Sequence, residues 1–218
     1  MKKAILLGAS GFVGSHLLDE LLNNPDYDQV TVIVRKKLDM EHPKLKTYIG
    51  DYHSLPSMDE VMETDDIFLL IGTTQTQTPD REEYYQIDHD YPILAAKIAK
   101  EKGAKSVFVV TAVGANADSN VFYVRMKGEI ERDLITLDFA HTHIFRPSMI
   151  MGNRKESRTM EQFFIGTFKL INPILTGKAL KRYRGMDGKD IARAMNNAAK
   201  KQTEKVNIYH WADMDNLL

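Results

Sequence analysis

Hydrophobic residues recur along this chain with two different periods. Short apolar runs of strand length occupy residues 4–7, 30–34, 66–71 and 106–110. Between them, apolar residues recur at helical spacing, as in Val13, Leu17, Leu18 and Leu21. Strands that alternate with helices are typical of a parallel sheet covered by helices on both faces. The pattern therefore predicts an α/β protein.

The same pattern predicts the order of the elements. Strands are expected at residues 4–7, 30–34, 47–51, 66–71, 106–110, 143–145 and 206–209. Helices are expected near residues 13–21, 58–62, 87–98, 120–137, 163–171 and 190–200. Pro92 should kink or split the third of these helices, because proline has no backbone N–H. The alternation fades after about residue 150, so we predict a main domain at 1–150 and a small C-terminal lobe at 151–218.

Three glycines follow the first strand at a spacing that suits a phosphate. Gly8, Gly11 and Gly14 can provide a sharp bend, close approach of the backbone to a pyrophosphate, and close packing of the helix on the strand. The N-terminus of the following helix would direct its free N–H groups at the phosphates. Glycines also occur in ordinary turns. The strand before and the helix after them favour a dinucleotide site, with these contacting residues: Gly8, Ser10, Gly11, Phe12, Val13 and Gly14.

Composition narrows the classes of function. The 218 residues carry a formal net charge of -1, which does not favour nucleic acid or an anionic membrane as a partner. The chain has no cysteine, so disulfides, thiolate metal sites and a cysteine nucleophile are excluded. No apolar run approaches the ~20 residues of a membrane span, and the strand at residue 4 leaves no room for a signal peptide before it. We therefore expect a cytoplasmic monomer or homodimer that acts on a small molecule.

A tyrosine and a lysine on one predicted helix suggest acid–base chemistry. Tyr123 and Lys127 are four residues apart, so their side chains share one face of the helix. A neighbouring ammonium lowers the pKa of a tyrosine, which lets it exchange a proton with a substrate oxygen. Thr111 adds a hydroxyl at the end of the fifth strand, on the sheet edge where ligands bind. The spacing alone can be incidental, but its position behind a dinucleotide turn favours a catalytic role.

Together, five motifs resemble the short-chain dehydrogenase/reductase superfamily. They are Gly8-x-x-Gly11-x-x-Gly14, Gly72-Thr73-Thr74, Thr111 to Gly114, Tyr123-x-x-x-Lys127 and Arg146-Pro147-Ser148. The resemblance covers about the first 160 residues. It is closest to the atypical NAD(P)-binding branch that includes a Tat-interacting oxidoreductase-like protein. The segments Met126-Lys127-Gly128-Glu129 and Arg154-Lys155-Glu156-Ser157-Arg158 carry that narrower likeness.

The resemblance implies a Rossmann-type, doubly wound parallel sheet and an NAD(P)-dependent oxidoreductase. In this family Tyr123 would be the general acid/base, Lys127 would bind the nicotinamide ribose, and Thr111 would orient the substrate oxygen. Threonine stands where the family usually has serine, and its methyl group restricts the hydroxyl. The short C-terminal lobe would contact the substrate. The alternative is a dinucleotide-sensing regulator that keeps the cofactor site and has little turnover.

The second strand bears on the choice of cofactor. Arg35, Lys36 and Lys37 stand where an acidic residue would bind the ribose hydroxyls of NAD, which favours NADP, although NAD remains possible. Basic residues after a strand can also be merely solvated. Asp51 is expected either to contact adenine or to form a turn. Further cofactor contacts are expected from these residues: Arg35, Lys36, Asp51, Tyr52, Gly72, Thr73, Thr74, Lys127 and Pro147.

Overall fold

The computed structural model describes residues 1–51, 53–152 and 181–218. Within them a seven-stranded, fully parallel sheet forms the centre of the molecule. Its strands are β1 (Lys2–Leu7), β2 (Tyr27–Val34), β3 (Leu45–Ile49), β4 (Asp66–Leu69), β5 (Ser106–Val110), β6 (His141–Phe145) and β9 (Val206–Tyr209). Their order in the sheet is β3-β2-β1-β4-β5-β6-β9. The chain adds β2 and β3 on one side of β1 and then, starting with β4, adds the later strands on the other side, so the strand order reverses between β1 and β4. This is the Rossmann-type doubly wound sheet that was predicted.

Six α-helices connect or follow the strands in the described residues. They are α1 (Phe12–Asn23), α2 (Arg81–Tyr85), α3 (Tyr91–Glu101), α4 (Phe122–Thr136), α5 (Gly188–Ala199) and α6 (Trp211–Asp215). Two 3-10 turns, Leu55–Ser57 and Asp59–Met62, stand where a weak helix was expected. The helix predicted at 163–171 lies outside the described residues.

Side-chain alternation along β1 shows why its residues 4–7 are all apolar. Ala4 and Leu6 face one buried cluster, which α1 and α5 cover. Ile5 and Leu7 face a second cluster on the opposite side of the sheet, which α3 and α4 cover. A strand that is buried on both faces needs apolar residues at every position.

The helix that contains Pro92 is interrupted, as the sequence predicted. A π-helical turn, Gln86–Asp90, joins α2 to α3, and Pro92 occupies the first turn of α3. Proline has no N–H to donate, and the turn directly before it is a π turn, in which the Tyr91 N–H donates to the Gln86 carbonyl. Asp88 lies within this π turn, at the edge of the sheet that holds the glycine turn.

The C-terminal segment is part of the main sheet. β9 pairs with β6 at the sheet edge, and α5 packs against α1. A second, two-stranded sheet joins β7 (Ile150–Met151) to β8 (Met186–Asp187), on either side of the proposed boundary at 150. The described residues after 180 thus extend the predicted main domain. Their assignment to a substrate lobe stays a prediction.

Among the described residues, no helix combines the length and apolar character that crossing a bilayer requires.

Candidate active site

The turn after β1 brings backbone atoms too close together for any side chain. A Cβ on Gly14 would lie 2.0 Å from the carbonyl oxygen of Gly8, and a Cβ on Gly8 would lie 2.4 Å from the carbonyl oxygen of Leu70. Gly8 also has a φ of +91°, which side-chain-bearing residues rarely adopt. The Gly11 N–H closes the turn by donating to the Gly8 carbonyl at 2.9 Å. The packing expected of a dinucleotide turn is therefore present.

Two adjoining cavities open at the carboxyl ends of the strands. One, of about 630 Å³, extends from Gly8 to Ile33, Arg35 and Asp51. The other, of about 790 Å³, extends along the start of α1 towards the middle of the sheet. Both are bordered by the same central residues: Ser10, Gly11, Arg35, Gly72 and Thr73. This is the crevice where open parallel sheets bind ligands, and it has room for the two halves of a dinucleotide.

Most of the predicted cofactor residues border these cavities. Phe12, Val13, Gly14 and Thr74 line the second cavity, together with all three predicted catalytic residues. Gly8 and Asp51 line the first. These positions were predicted from separate motifs, and the fold brings them to one edge of the sheet.

Two predicted positions differ from this pattern. Among the residues that the structure describes around the two cavities, Lys36 and Pro147 are absent. The Pro147 carbonyl instead accepts a hydrogen bond from the Val113 N–H at 2.9 Å, which joins the loops after β6 and β5. Asp51 also forms a turn, because its side chain accepts from the Ser54 N–H at 3.1 Å. Tyr52 lies outside the described residues.

Tyr123 and Lys127 enter the second cavity from α4. Tyr123 is 43% exposed, whereas Lys127 is 7% exposed. The Lys127 ammonium lies 5.9 Å from the centre of the Tyr123 ring. They are four positions apart, so the helix places both side chains on the face that borders the cavity. The tyrosine is thus available to a ligand, with a cation beneath it.

Lys127 is bound internally by a carboxylate. Its Nζ atom donates to Asp88 Oδ2 at 2.7 Å, and the other oxygen of Asp88 accepts from the Thr73 N–H at 2.7 Å. Asp88 is 2% exposed and comes from the π turn. One buried carboxylate therefore links α4 to the loop after β4. It compensates the Lys127 charge, which would be costly to bury unpaired.

The Thr111 hydroxyl is also engaged inside the protein. Thr111 is 5% exposed, and its Oγ1 donates to Glu131 Oε1 at 2.5 Å. Arg146 binds both oxygens of that carboxylate, with its Nε atom 2.9 Å from Oε1 and a second contact to Oε2. Glu131 is 4% exposed. The carboxylate thus satisfies one hydroxyl and one guanidinium in the interior.

A second tyrosine lies near the same cluster. Tyr84 is 6% exposed and packs edge-on against Phe122, with 5.8 Å between the ring centres. Burial raises the pKa of Tyr84 above its ordinary value, and the nearby Asp88 adds to that effect. A phenol whose pKa is raised is a poor proton donor at neutral pH. Tyr123, which is exposed and borders the second cavity, is the tyrosine that a ligand can reach.

Sequence reasoning missed three residues that build this site. The sequence could have indicated Asp88, which lies three residues before Tyr91 and seven before Ala95 on the apolar stripe of its helix. A charge on that stripe would be costly unless it were paired. Glu131 shows the same kind of signal, four residues after Lys127 on the same face. Gly128 is required for a different reason, since a Cβ there would lie 2.1 Å from the backbone nitrogen of Ala117. Nothing in the sequence marks that contact.

In the described part of the chain, no three or more histidine, aspartate or glutamate side chains are grouped so that they could hold a metal ion. His141 and His143 have ring centres 6.3 Å apart, on the sheet rather than at the cavity.

Comparison with known proteins identifies relatives over most of the chain. The model of a family described as NAD(P)H-binding matches residues 8–162. The protein fmp52, mitochondrial, of Aspergillus niger is 34% identical over 208 residues, which is 92% of this chain and 88% of that protein. Its namesake from Aspergillus fumigatus is 35% identical over the same length and the same shares of both chains.

Solved structures share the fold at low sequence identity. MoeE5 in complex with UDP-glucose and NAD has a TM-score of 0.70 and 16% identity, and covers 94% of this chain and 74% of its own. The Bordetella bronchiseptica enzyme WbmH in complex with NAD+ has a TM-score of 0.71 and 16% identity, and covers 96% of this chain and 75% of its own. These likenesses support the fold assignment alone.

The relatives correct one expectation from the sequence. Both fungal proteins are named mitochondrial, so the prediction of a cytoplasmic protein is wrong on this comparison. That prediction rested on the absence of cysteine and of long apolar runs. Neither feature distinguishes one reducing, aqueous compartment from another.

The glycine turn and the strand order agree with what the sequence comparison finds. The chain belongs to the family described as NAD(P)H-binding, and the fungal fmp52 proteins are its relatives.

Proposed function

We propose that this protein is an NADP(H)-dependent oxidoreductase that interconverts a carbonyl group and an alcohol on a small organic substrate. The observation that best supports this proposal is the position of Tyr123, whose phenol is exposed and has the Lys127 ammonium 5.9 Å from the centre of its ring. It shares a cavity with Gly11 and Thr73. A positioned acid/base thus borders the same space as the dinucleotide turn.

The described residues fit a dinucleotide. The turn at Gly8, Gly11 and Gly14 has no space for a Cβ at two of its three glycines, so backbone amides can approach a pyrophosphate closely. Arg35 is exposed at the end of β2 and borders both cavities, where a guanidinium can bind an added ribose phosphate. We therefore propose NADP(H) as the preferred cofactor.

The chain's own residues would divide the chemical work. When bound, NADPH supplies the hydride that reduces the carbonyl carbon. Tyr123 donates a proton to the carbonyl oxygen, so the products are the alcohol and the oxidised cofactor. Lys127 holds positive charge beneath Tyr123, and Asp88 fixes the position of Lys127.

One observation favours a second candidate, a dinucleotide sensor with little turnover. Lys127 and Thr111 each donate a hydrogen bond to a buried carboxylate, and both are nearly buried, whereas Tyr123 is exposed. A sensor would need the pairings for stability and would not need the phenol.

The role of the Tyr123 hydroxyl distinguishes the two candidate functions. Tyr123→Phe removes the phenolic hydroxyl and retains the ring, so NADPH affinity should stay close to that of the parent. For an enzyme, NADPH-dependent reduction of carbonyl substrates found by screening should fall by about 10²-fold or more. For a sensor, screening should find no turnover despite tight NADPH binding. Turnover that survives Tyr123→Phe unchanged would refute the assigned proton donor.

A further inference from the structure

The Thr111 hydroxyl has only protein acceptors around its hydrogen in the described residues. Glu131 Oε1 lies 2.5 Å from Thr111 Oγ1, and the Phe145 carbonyl oxygen lies 3.4 Å away. A carboxylate held by both arms of Arg146 can only accept hydrogen bonds. The one hydrogen of the hydroxyl is therefore directed into the interior.

This arrangement limits what Thr111 can offer to a ligand. Thr111 lines the second cavity together with Tyr123. Since its hydrogen is already used, it can present only oxygen lone pairs or its methyl group. It cannot donate to a substrate carbonyl. The next two residues, Ala112 and Val113, carry no hydroxyl that could replace it.

The charge on Glu131 makes the Thr111 hydroxyl oxygen a better hydrogen-bond acceptor. A hydroxyl that donates to a carboxylate becomes a better acceptor, because hydrogen bonds in a chain polarise one another. The network also fixes the rotation of the side chain, since Thr111 Oγ1 lies between Glu131 Oε1 and the Phe145 carbonyl oxygen. A substrate hydroxyl at this position would complete a chain that runs from the substrate through Thr111 to Glu131 and Arg146.

We infer that Glu131 makes Thr111 a hydrogen-bond acceptor towards the substrate, so that the site selects a carbonyl compound with a hydroxyl on the carbon next to the carbonyl. Tyr123 then serves the carbonyl oxygen, and Thr111 binds the neighbouring hydroxyl. Glu131 is a positioning residue that acts through Thr111. The inference rests on the proposed reductase function and adds the substrate class.

A matched pair of ketones tests the inference. The compounds 2-hydroxycyclohexanone and 2-methylcyclohexanone differ by a hydroxyl in place of a methyl group. With NADPH, the parent should show a kcat/KM for the hydroxy ketone that is about tenfold higher or more. That ratio should approach one in Thr111→Val and fall in Glu131→Gln, whose amide can donate to Thr111. Thr111→Ser should keep it.

Glu129→Gln is the matched control for the loss of charge. Glu129 is on the same helix and lies 3.8 Å from Arg125, outside the Thr111 network. It should leave the ratio unchanged. A merely structural role of Glu131 would lower kcat/KM for both ketones equally and would also leave the ratio unchanged, which would overturn the inference. Equal kcat/KM values in the parent would overturn it too, while the reductase function would stand.

A measurement without turnover separates the inference from the proposed function. In protein with ¹³C-labelled threonine, slow hydroxyl exchange is visible as a split Cβ signal in mixed H₂O and D₂O. We expect such a signal for Thr111, assigned by its loss in Thr111→Val, and fast exchange in Glu131→Gln. If screening finds no carbonyl compound that the parent reduces, the reductase function fails, and the exchange rate alone then shows whether the Thr111 hydroxyl keeps its hydrogen bond to Glu131. Fast exchange in the parent would overturn the inference.

Discussion

Lys127 and Asp88, which are 39 positions apart in the chain, form a buried ion pair with 2.7 Å between Nζ and Oδ2. Their side chains are 8% and 2% exposed. The pair joins the helix that carries Tyr123 to the π turn before α3, and through the Thr73 N–H to the loop after β4. The lysine assigned to the cofactor is therefore also part of the packing of the site.

The pair predicts a coupled effect on stability. Asp88→Asn leaves Lys127 buried without a counter-charge, and should lower the free energy of unfolding by about 3 kcal/mol in urea titrations. Lys127→Met should cost a similar amount, because it leaves the carboxylate unpaired. The double variant should cost less than the sum of the two.

Glu63→Gln provides the control for that cycle. It breaks the ion pair between Glu63 and Lys3, which have 2.8 Å between their charged atoms and are well exposed. Solvent screens such a pair, so stability should change little. Additive losses in the Asp88 and Lys127 double variant would show that the two side chains contribute independently.

Arg35 should determine the preference between the two nicotinamide cofactors. It borders both cavities, whereas Lys37 is exposed and is not among the described residues that line them. Calorimetric titration should show NADPH binding about tenfold to a hundredfold more tightly than NADH, as a charge-assisted contact to a phosphate implies. Arg35→Asp should shrink or reverse that gap, and Lys37→Asp should leave it in place. Equal affinities of the parent protein for both cofactors would contradict the assignment.

Gly14 should be intolerant of even one added carbon. In Gly14→Ala the new Cβ would lie 2.0 Å from the Gly8 carbonyl oxygen, so the turn or the helix must shift. Overpacking of this kind should cost about 1 to 3 kcal/mol of stability and weaken cofactor binding.

Gly103→Ala separates this crowding from backbone strain. Gly103 has a φ of +100°, and a Cβ added there would have no heavy atom within 4 Å beyond its chain neighbours. The substitution should cost about 1 to 2 kcal/mol through strain alone, with unchanged cofactor affinity. Unchanged melting temperature and affinity in Gly14→Ala would contradict the packing of the turn.

His143 should make the protein less stable in mild acid. Its ring stacks on Phe108 with 4.4 Å between centres, and its Nδ1 atom lies 2.9 Å from the Tyr209 hydroxyl. Burial lowers the pKa of His143 to about 4, with smaller contributions from the nearby His141 and Lys2. The unfolded chain then takes up a proton near pH 6.5 and the folded chain does not, so stability is lost as the pH falls from about 6.5 to about 4.

The size of the effect follows from the shift in pKa. A difference of about two units corresponds to about 3 kcal/mol, measured as the free energy of unfolding at a series of pH values. His143→Phe keeps an aromatic ring against Phe108 and should flatten that part of the profile. His42→Gln, which removes an imidazole outside the core, should leave the profile as in the parent. A flat profile in the parent would contradict burial of a neutral His143.

Local sequence determined the framework of the site. The strand, glycine turn and helix at residues 2–23 could be predicted because each signal lies within a few residues of the next. The same holds for Tyr123 and Lys127, since one helical turn separates them. Pro92 marked the interruption of its helix for an equally local reason.

Short or weakly patterned elements could not be predicted in this way. β7 and β8 have two residues each, which is too few for any periodicity. Their pairing depends on segments 36 positions apart meeting in space. The interaction of Phe12 with this region has the same origin, because a Cβ on Gly152 or Gly188 would lie within 3 Å of the Phe12 ring.

The internal partners of the site were decided by tertiary structure. Any of several carboxylates could in principle neutralise Lys127 or bind Thr111, and the sequence does not rank them. Asp88 meets Lys127 from the π turn, and the neighbouring strands β5 and β6 bring Thr111 and Arg146 to the same buried carboxylate. Burial then makes each pairing obligatory, because an unpaired charge inside the protein would be more costly than any alternative contact.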